Sequence, residues 1–205
     1  MGLSYLFAYK FTMNIFYLDP DPKTCAEMHC DKHVVKMIIE YAQLMSTAHR
    51  VLDGTEYTDL TANGRRIKRW RLDDGRESML HKASHINHPS AIWCRENDQN
   101  YYWLYKMWDF LCQEYHYRYG KTHACERLEA VLSYAPTNIA EGQFFAPTPA
   151  MPIDCKVMAE NPTPGRKYDS LKSYHKYYIQ EKVRFAKWKY RNIPEWFANA
   201  NLSIS

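Results

Sequence analysis

The chain has 205 residues, of which 46% are apolar, 15% are aromatic and only 7 are glycine. That length suits one domain of ordinary size, and that composition excludes collagen-like, linker-like and wholly disordered chains. Lysine plus arginine outnumber aspartate plus glutamate by 27 to 23, a net charge of +4 that leans only mildly toward polyanionic partners.

The opening stretch Met1–Tyr9 is apolar but short, has no basic leader and is interrupted by Lys10, so it reads as neither a signal peptide nor a membrane span. Leu6 stands where a myristoylation signal would place Ser or Thr. Residues 1–12 are therefore expected to be an N-terminal extension, and no later run has the length of a membrane helix. Cys25, Cys30, Cys94, Cys112, Cys125 and Cys155 include no C-x-x-C pair and sit in apolar stretches. They point to free thiols in a reducing cytoplasm.

Met13–Leu18 predicts a short extended segment, ended by Asp19-Pro20-Asp21-Pro22. Asp21 as N-cap and Pro22 at the first helical position then start one long helix, running to about Leu52 and stopping at Asp53-Gly54. Asn63-Gly64 signals a hairpin turn between Thr/Tyr-bearing runs. A second helix is expected from about Asp98 to Tyr119, terminated by Gly120, and a shorter one from Thr122 to about Tyr134. Six of the ten prolines fall between Pro136 and Pro164, which predicts a wrapping loop. Asp169 or Ser170 caps a last long, basic and aromatic helix to about Tyr190, followed by a terminal turn at Pro194–Phe197. The expected fold is mainly α: a single compact helical domain over 13–205 with an inserted basic β-hairpin (55–75) and a long Pro-rich loop (136–168).

On a wheel of about 100° per residue, His29, His33, Lys36, Glu40, Gln43 and Thr47 fall along one narrow line of the first helix, and most of the remaining arc is apolar. A helix buried on several sides would aim such a stripe at a cleft. The stripe offers imidazoles that titrate near neutrality, an amine nucleophile and a carboxylate that shuttles protons, so Lys36, Glu40, His29 and His33 are the candidate catalytic residues. An ordinary solvated face with a Lys36–Glu40 ion pair is the alternative. His81, His85 and His88 form a second histidine cluster just before Pro89. No cofactor is required by any complete motif, but His29, His33, His85 and His88, with Asp31 or Glu40, leave room for a divalent metal.

Five of the eight residues Gly64–Arg71 are basic, with Trp70 among them: cations suited to a phosphate backbone beside an aromatic suited to stacking. Arg65, Arg66, Lys68, Arg69, Trp70, Arg71, His85, His88, Trp93, Arg95 and Asn100 are the candidate DNA-contacting residues, with Trp70 or Trp93 the wedge or platform for a flipped base.

Three stretches carry a resemblance: Met13–Leu18 followed by His29-Cys30-Asp31-Lys32-His33-Val34-Val35-Lys36-Met37 with Glu40 and Gln43; His85-x-x-His88-Pro89 with Trp93-x-Arg95; and Tyr178-x-x-Glu181-Lys182 with Phe185-Ala186-Lys187-Trp188. Together they resemble a family of phage and bacterial proteins and, more distantly, the phage pyrimidine-dimer DNA glycosylases. That second resemblance implies a small all-helical enzyme with a His- and Glu-bearing first helix and an aromatic-basic C-terminal segment. It also implies an N-terminal α-amine that forms a Schiff base with the sugar, assisted by a Glu. With twelve residues ahead of Met13, Lys36 is the amine this sequence offers, in a hydrophobic surround that would release its lone pair. Glu40 or His33 would move the protons. Were the chain to open at Met13, the amine of residue 14 would take that place. The expectation is a phage-type cytoplasmic enzyme acting on DNA, a glycosylase/lyase for damaged or modified bases. A metal-dependent hydrolase of nucleotides or nucleic acid is the first rival, and a non-catalytic binder of nucleic acid or of a host protein the second.

Overall fold

The computed structural model describes residues 13–202; the 1–12 extension lies outside the described residues. Its helices are α1 (Pro22–Met28), α2 (Asp31–Asp53), α3 (Arg76–Met79), α4 (Pro89–Cys94), α5 (Asp98–Tyr119), α6 (Glu129–Leu132), α7 (Ser170–Tyr177) and α8 (Glu195–Leu202). Two antiparallel hairpins join them, β1 (Thr55–Leu60) with β2 (Arg66–Arg71), and β3 (Val157–Thr163) with β4 (Arg166–Asp169). The architecture is mainly α.

Local signals account for several boundaries. The Asp21 carboxylate accepts from the Thr24 amide and Pro22 opens α1. The Asn97 side chain caps α5, and Gly120 ends it in the left-handed conformation at φ 63°. In the first hairpin Thr55 pairs with Arg71 and Leu60 with Arg66, closed by a turn in which Gly64 has φ 72°. Met13–Leu18 is buried along its whole length but pairs with no strand among the described residues. Side chains satisfy its backbone instead: the Phe16 amide donates to the Tyr41 hydroxyl at 3.1 Å, and the Leu18 amide to the Cys25 sulfur at 3.3 Å.

Four expectations need correction. The first helix is two helices, because the buried Arg118 guanidinium on α5 captures the carbonyls of Glu27 and His29 and the Asp31 carboxylate, holding the chain extended at His29-Cys30. The stretch 136–168 is not loop throughout: it ends in β3–β4, turned at Gly165 with φ 78°, with the ladder irregular between Met158 and Thr163 around Pro162. The last helix stops far short of Tyr190. α7 passes into a π-helical turn at Tyr178–Lys182, and a further helix, α8, begins at Glu195. The segment expected as a short helix after Gly120 is a 3₁₀ turn over Ala124–Leu128 followed by α6.

The core centres on α2. Val34, Met37, Ile38, Tyr41, Ala42, Leu44, Met45 and Ala48 are buried against a cluster that includes Leu104, Met107, Trp108 and Leu111 of α5. Val35 and Ile39 stay exposed, so α2 keeps one open strip rather than being enclosed on every side. All six cysteines are free and buried.

Candidate active site

The stripe on α2 divides into parts with different chemistry. Upstream of it, at the break before α2, His29 is fully buried. Its Nδ1 donates to the Cys25 carbonyl at 2.7 Å and its Nε2 accepts from the Tyr41 hydroxyl at 2.8 Å, so both ring nitrogens are committed within the core. Burial pushes its pKa down to about 4 and keeps the ring neutral. His33 is buried too, stacked on Phe16 with ring centroids 4.1 Å apart and bonded to the Tyr178 hydroxyl. Burial likewise holds it well below the usual histidine range.

One and two turns further on the stripe opens. Lys36 is half-exposed, and its Nζ lies 2.8 Å from Glu40 Oε1. The Glu40 side chain is only 12% exposed, and its other oxygen, Oε2, is buried with no hydrogen-bond partner among the described residues. A buried carboxylate oxygen without a donor is uncommon, since more than about nine in ten buried polar groups are paired. Such an atom can accept a proton or a donor that substrate brings in. At the far end of the stripe Thr47 is buried and exchanges hydrogen bonds with Ser84, joining α2 to the segment before α4.

Met13–Leu18 runs beside this stripe. Phe16 lies on His33, one turn before Lys36, and Asn14 is locked by its side chain, which donates to the Ala150 carbonyl and accepts from the Tyr174 hydroxyl.

The second histidine cluster is placed differently. His85 is exposed with φ 50°, while His88 Nδ1 accepts from the Ser90 amide and so caps α4. Among the described residues no group of three or more His, Cys, Asp or Glu side chains is placed to hold a metal ion, so His29, His33, His85 and His88 do not come together. The physical reason is that His29 and His33 spend their nitrogens on core hydroxyls and a carbonyl.

Of the residues expected at DNA, Trp93 and Asn100 are core residues. The Trp93 indole donates to the Phe145 carbonyl, and Asn100 bridges the Trp93 carbonyl to the Phe145 amide. Neither offers a face to a base. Trp70 is 9% exposed, with its ring turned inward from β2. In the hairpin Arg65 and Arg66 are exposed, Lys68 pairs with Glu56, Arg71 lies over Tyr57, and Arg69 reaches the Ala83 carbonyl. Arg95 is partly buried at the end of α4, with one guanidinium nitrogen lacking a partner among the described residues.

Asn14, expected as a possible terminal amine, and Tyr177 and Lys182, expected as part of a basic and aromatic last helix, bracket the site. Lys182 donates to the Tyr177 hydroxyl at 2.9 Å. The signal was present in the five-residue spacing of those two side chains, which only a widened helical turn brings together.

No helix among the described residues is long and apolar enough to cross a membrane. Neither a curated protein nor a solved structure matches the chain. Residues 13–127, more than half of the 205, match the family described as pyrimidine dimer DNA glycosylase, and that span opens at Met13 and contains α1, the whole of α2 and the Lys36–Glu40 pair. The chain belongs to the pyrimidine dimer DNA glycosylase family.

Proposed function

We propose that the protein is a DNA glycosylase/lyase for damaged pyrimidines in duplex DNA, with Glu40 as its acid–base group and an amine as its nucleophile. The amine lone pair attacks C1′ of the damaged nucleotide, the bond from C1′ to the base nitrogen breaks, and the base leaves with a proton. Opening of the sugar ring yields the imine. Removal of a proton from C2′ then expels the 3′ phosphate, the lyase step. The observation that carries this reading is Glu40: a carboxylate held by Lys36 through one oxygen, with the other buried and unpaired, on the helix that the family match contains.

Two amines compete for the nucleophile's role. Lys36 is half-exposed and its ammonium is engaged by Glu40. The family match begins at Met13, which favours the α-amine of a chain opening at residue 13 or 14. In that reading Lys36 holds Glu40 in place, and His29 and His33 tie the helix and the opening segment together. The exposed cations of the 55–75 hairpin follow the phosphate backbone. The metal-dependent hydrolase has no assembled ligand set in its favour among the described residues. We read 13–205 as one domain, because its buried side chains from Met13 to Phe197 form one cluster, and its free thiols suit the cytoplasm.

Borohydride trapping on duplex DNA with an abasic site or a pyrimidine dimer tests this directly, followed by mass mapping of the adduct on a chain opening at Met13. The expected adduct lies on the N-terminal amine and survives Lys36→Ala. An adduct on Lys36 would transfer the nucleophile to the helix, and no adduct on any amine would leave a DNA binder without Schiff-base chemistry.

A further inference from the structure

The turn at Tyr178–Lys182 is π-helical, a rare geometry often found as a single widened turn at functional sites. In an α-helix, residues five apart point in directions about 140° different. Here the widened turn brings Lys182 back over Tyr177, with Nζ 2.9 Å from the phenol oxygen and 4.2 Å from the ring centroid. The same turn presents Tyr178 to His33 on α2. The Phe16 ring lies nearly parallel to both His33, at 4.1 Å, and Tyr177, at 6.3 Å. A ladder of rings therefore links the Lys182–Tyr177 pair to the stripe that carries Lys36 and Glu40. Lys36 lies within electrostatic reach of Tyr177, whose hydroxyl burial, Glu181 and Cys155 push up and Lys36 pulls down. Lys182 and Lys36 both disfavour protonated His33. One ammonium, Lys36, thus pairs with Glu40 and lies within electrostatic reach of the phenol that the other, Lys182, contacts. The phenol accepts from Lys182, which leaves its own O–H as a second donor.

We propose that Lys182 and the Tyr177 hydroxyl form a binding pair for one DNA phosphate, fixing the strand whose damaged nucleotide enters beside Glu40. An ammonium and an O–H held on one rigid turn suit adjacent oxygens of a phosphodiester. The pair lies in the C-terminal region, beyond the 13–127 span of the family match. The inference rests on the DNA-enzyme reading above.

The experiment measures affinity for duplex DNA containing a stable abasic-site analogue, over a series of salt concentrations, in a Glu40→Gln background that removes chemistry. Each phosphate contact contributes about 0.9 to the slope of log affinity against log salt. Lys182→Ala and Lys182→Gln are each expected to lower that slope by about one contact, while Lys182→Arg keeps it and Tyr177→Phe weakens binding with the slope unchanged. Using two neutral variants guards against one that fails to fold. Folded Lys182 variants with an unaltered slope overturn the phosphate pair and leave the enzyme reading standing. Failure of the parent protein to bind DNA at any salt removes both.

Discussion

Two polar residues on α2, three turns apart, are treated in opposite ways. Arg50, near the C-terminal end, is 2% exposed and donates to the carbonyls of His81, Trp70, Glu77 and Leu80 and to the Glu77 carboxylate. Its nitrogens all have acceptors. Glu40, in the middle, is nearly as enclosed but has one oxygen bonded and one left without a partner. A closed network fixes a fold; an open one leaves a group whose interactions are completed by what binds. The contrast separates residues that hold this molecule together from the residue proposed as its acid–base group.

Two substitutions break the contrast most sharply, and they are expected to move opposite readouts. Glu40→Gln keeps shape and leaves unfolding free energy within about 1 kcal/mol, while removal of base in single-turnover assays slows by roughly 10²–10⁴-fold, the usual contribution of a general acid or base. Arg50→Met strands four backbone carbonyls and the Glu77 carboxylate, and is expected to lower stability by about 3 kcal/mol or more in urea unfolding. A Glu40→Gln protein that turns over normally would make Glu40 structural. An Arg50→Met protein of unchanged stability would mean that the closed network contributes nothing net.

The closed half of the molecule also has a pH signature. Burial pushes His29 and His49 down to about 4, with Arg76 adding to the effect at His49. His49 takes a hydrogen bond from Arg76 and makes one with Tyr101, so it too is a core group. In the folded protein these rings stay neutral, whereas in the unfolded chain they protonate below their ordinary value of about 6.5. Their stabilising contribution is therefore complete above about pH 6.5 and falls as the pH drops toward 4, by roughly 1.4 kcal/mol per pH unit for each ring. Urea unfolding across that window is expected to show the loss, and His49→Gln to reduce its steepness. A flat profile would mean that these rings titrate normally and are reached by water.

What the sequence made legible follows the same division between local and distant causes. Asp21 capping α1, Asn63-Gly64 turning the first hairpin and Gly120 ending α5 act within four residues of their own position, and a reader of the sequence can find them. The Lys36–Glu40 pair is an i,i+4 neighbour and was visible on the wheel. The break at His29-Cys30 was not visible, because no Gly or Pro marks it and its cause, Arg118, is 89 residues from His29. Nor was the inward commitment of His29 and His33. Imidazoles on a polar stripe look like ligands until Tyr41 and Tyr178, the latter 145 residues from His33, are seen to occupy them. The β3–β4 hairpin was hidden by its own prolines, although Pro164-Gly165 carried the turn signal.

The smallest expected effect concerns the first hairpin, where the contrast between closed and open recurs among cations. Lys68 is engaged by Glu56 and Arg71 by the Tyr57 ring, while Arg65 and Arg66 are exposed and take no part in an ion pair among the described residues. Replacing both with Ala is expected to change stability by less than about 0.5 kcal/mol, as exposed side chains remote from the core do. If the arm follows the DNA backbone, the double variant loses affinity to a similar degree for damaged and undamaged duplexes. Its salt slope then falls by up to about two phosphate contacts. Lys182 variants differ in kind, because the phosphate they lose belongs to the strand positioned at Glu40, so their deficit includes the rate of adduct formation at saturating DNA. Equal salt slopes for the parent and the Arg65→Ala/Arg66→Ala protein would take the hairpin out of the interface and leave DNA recognition to the surface around α2 and the π-turn.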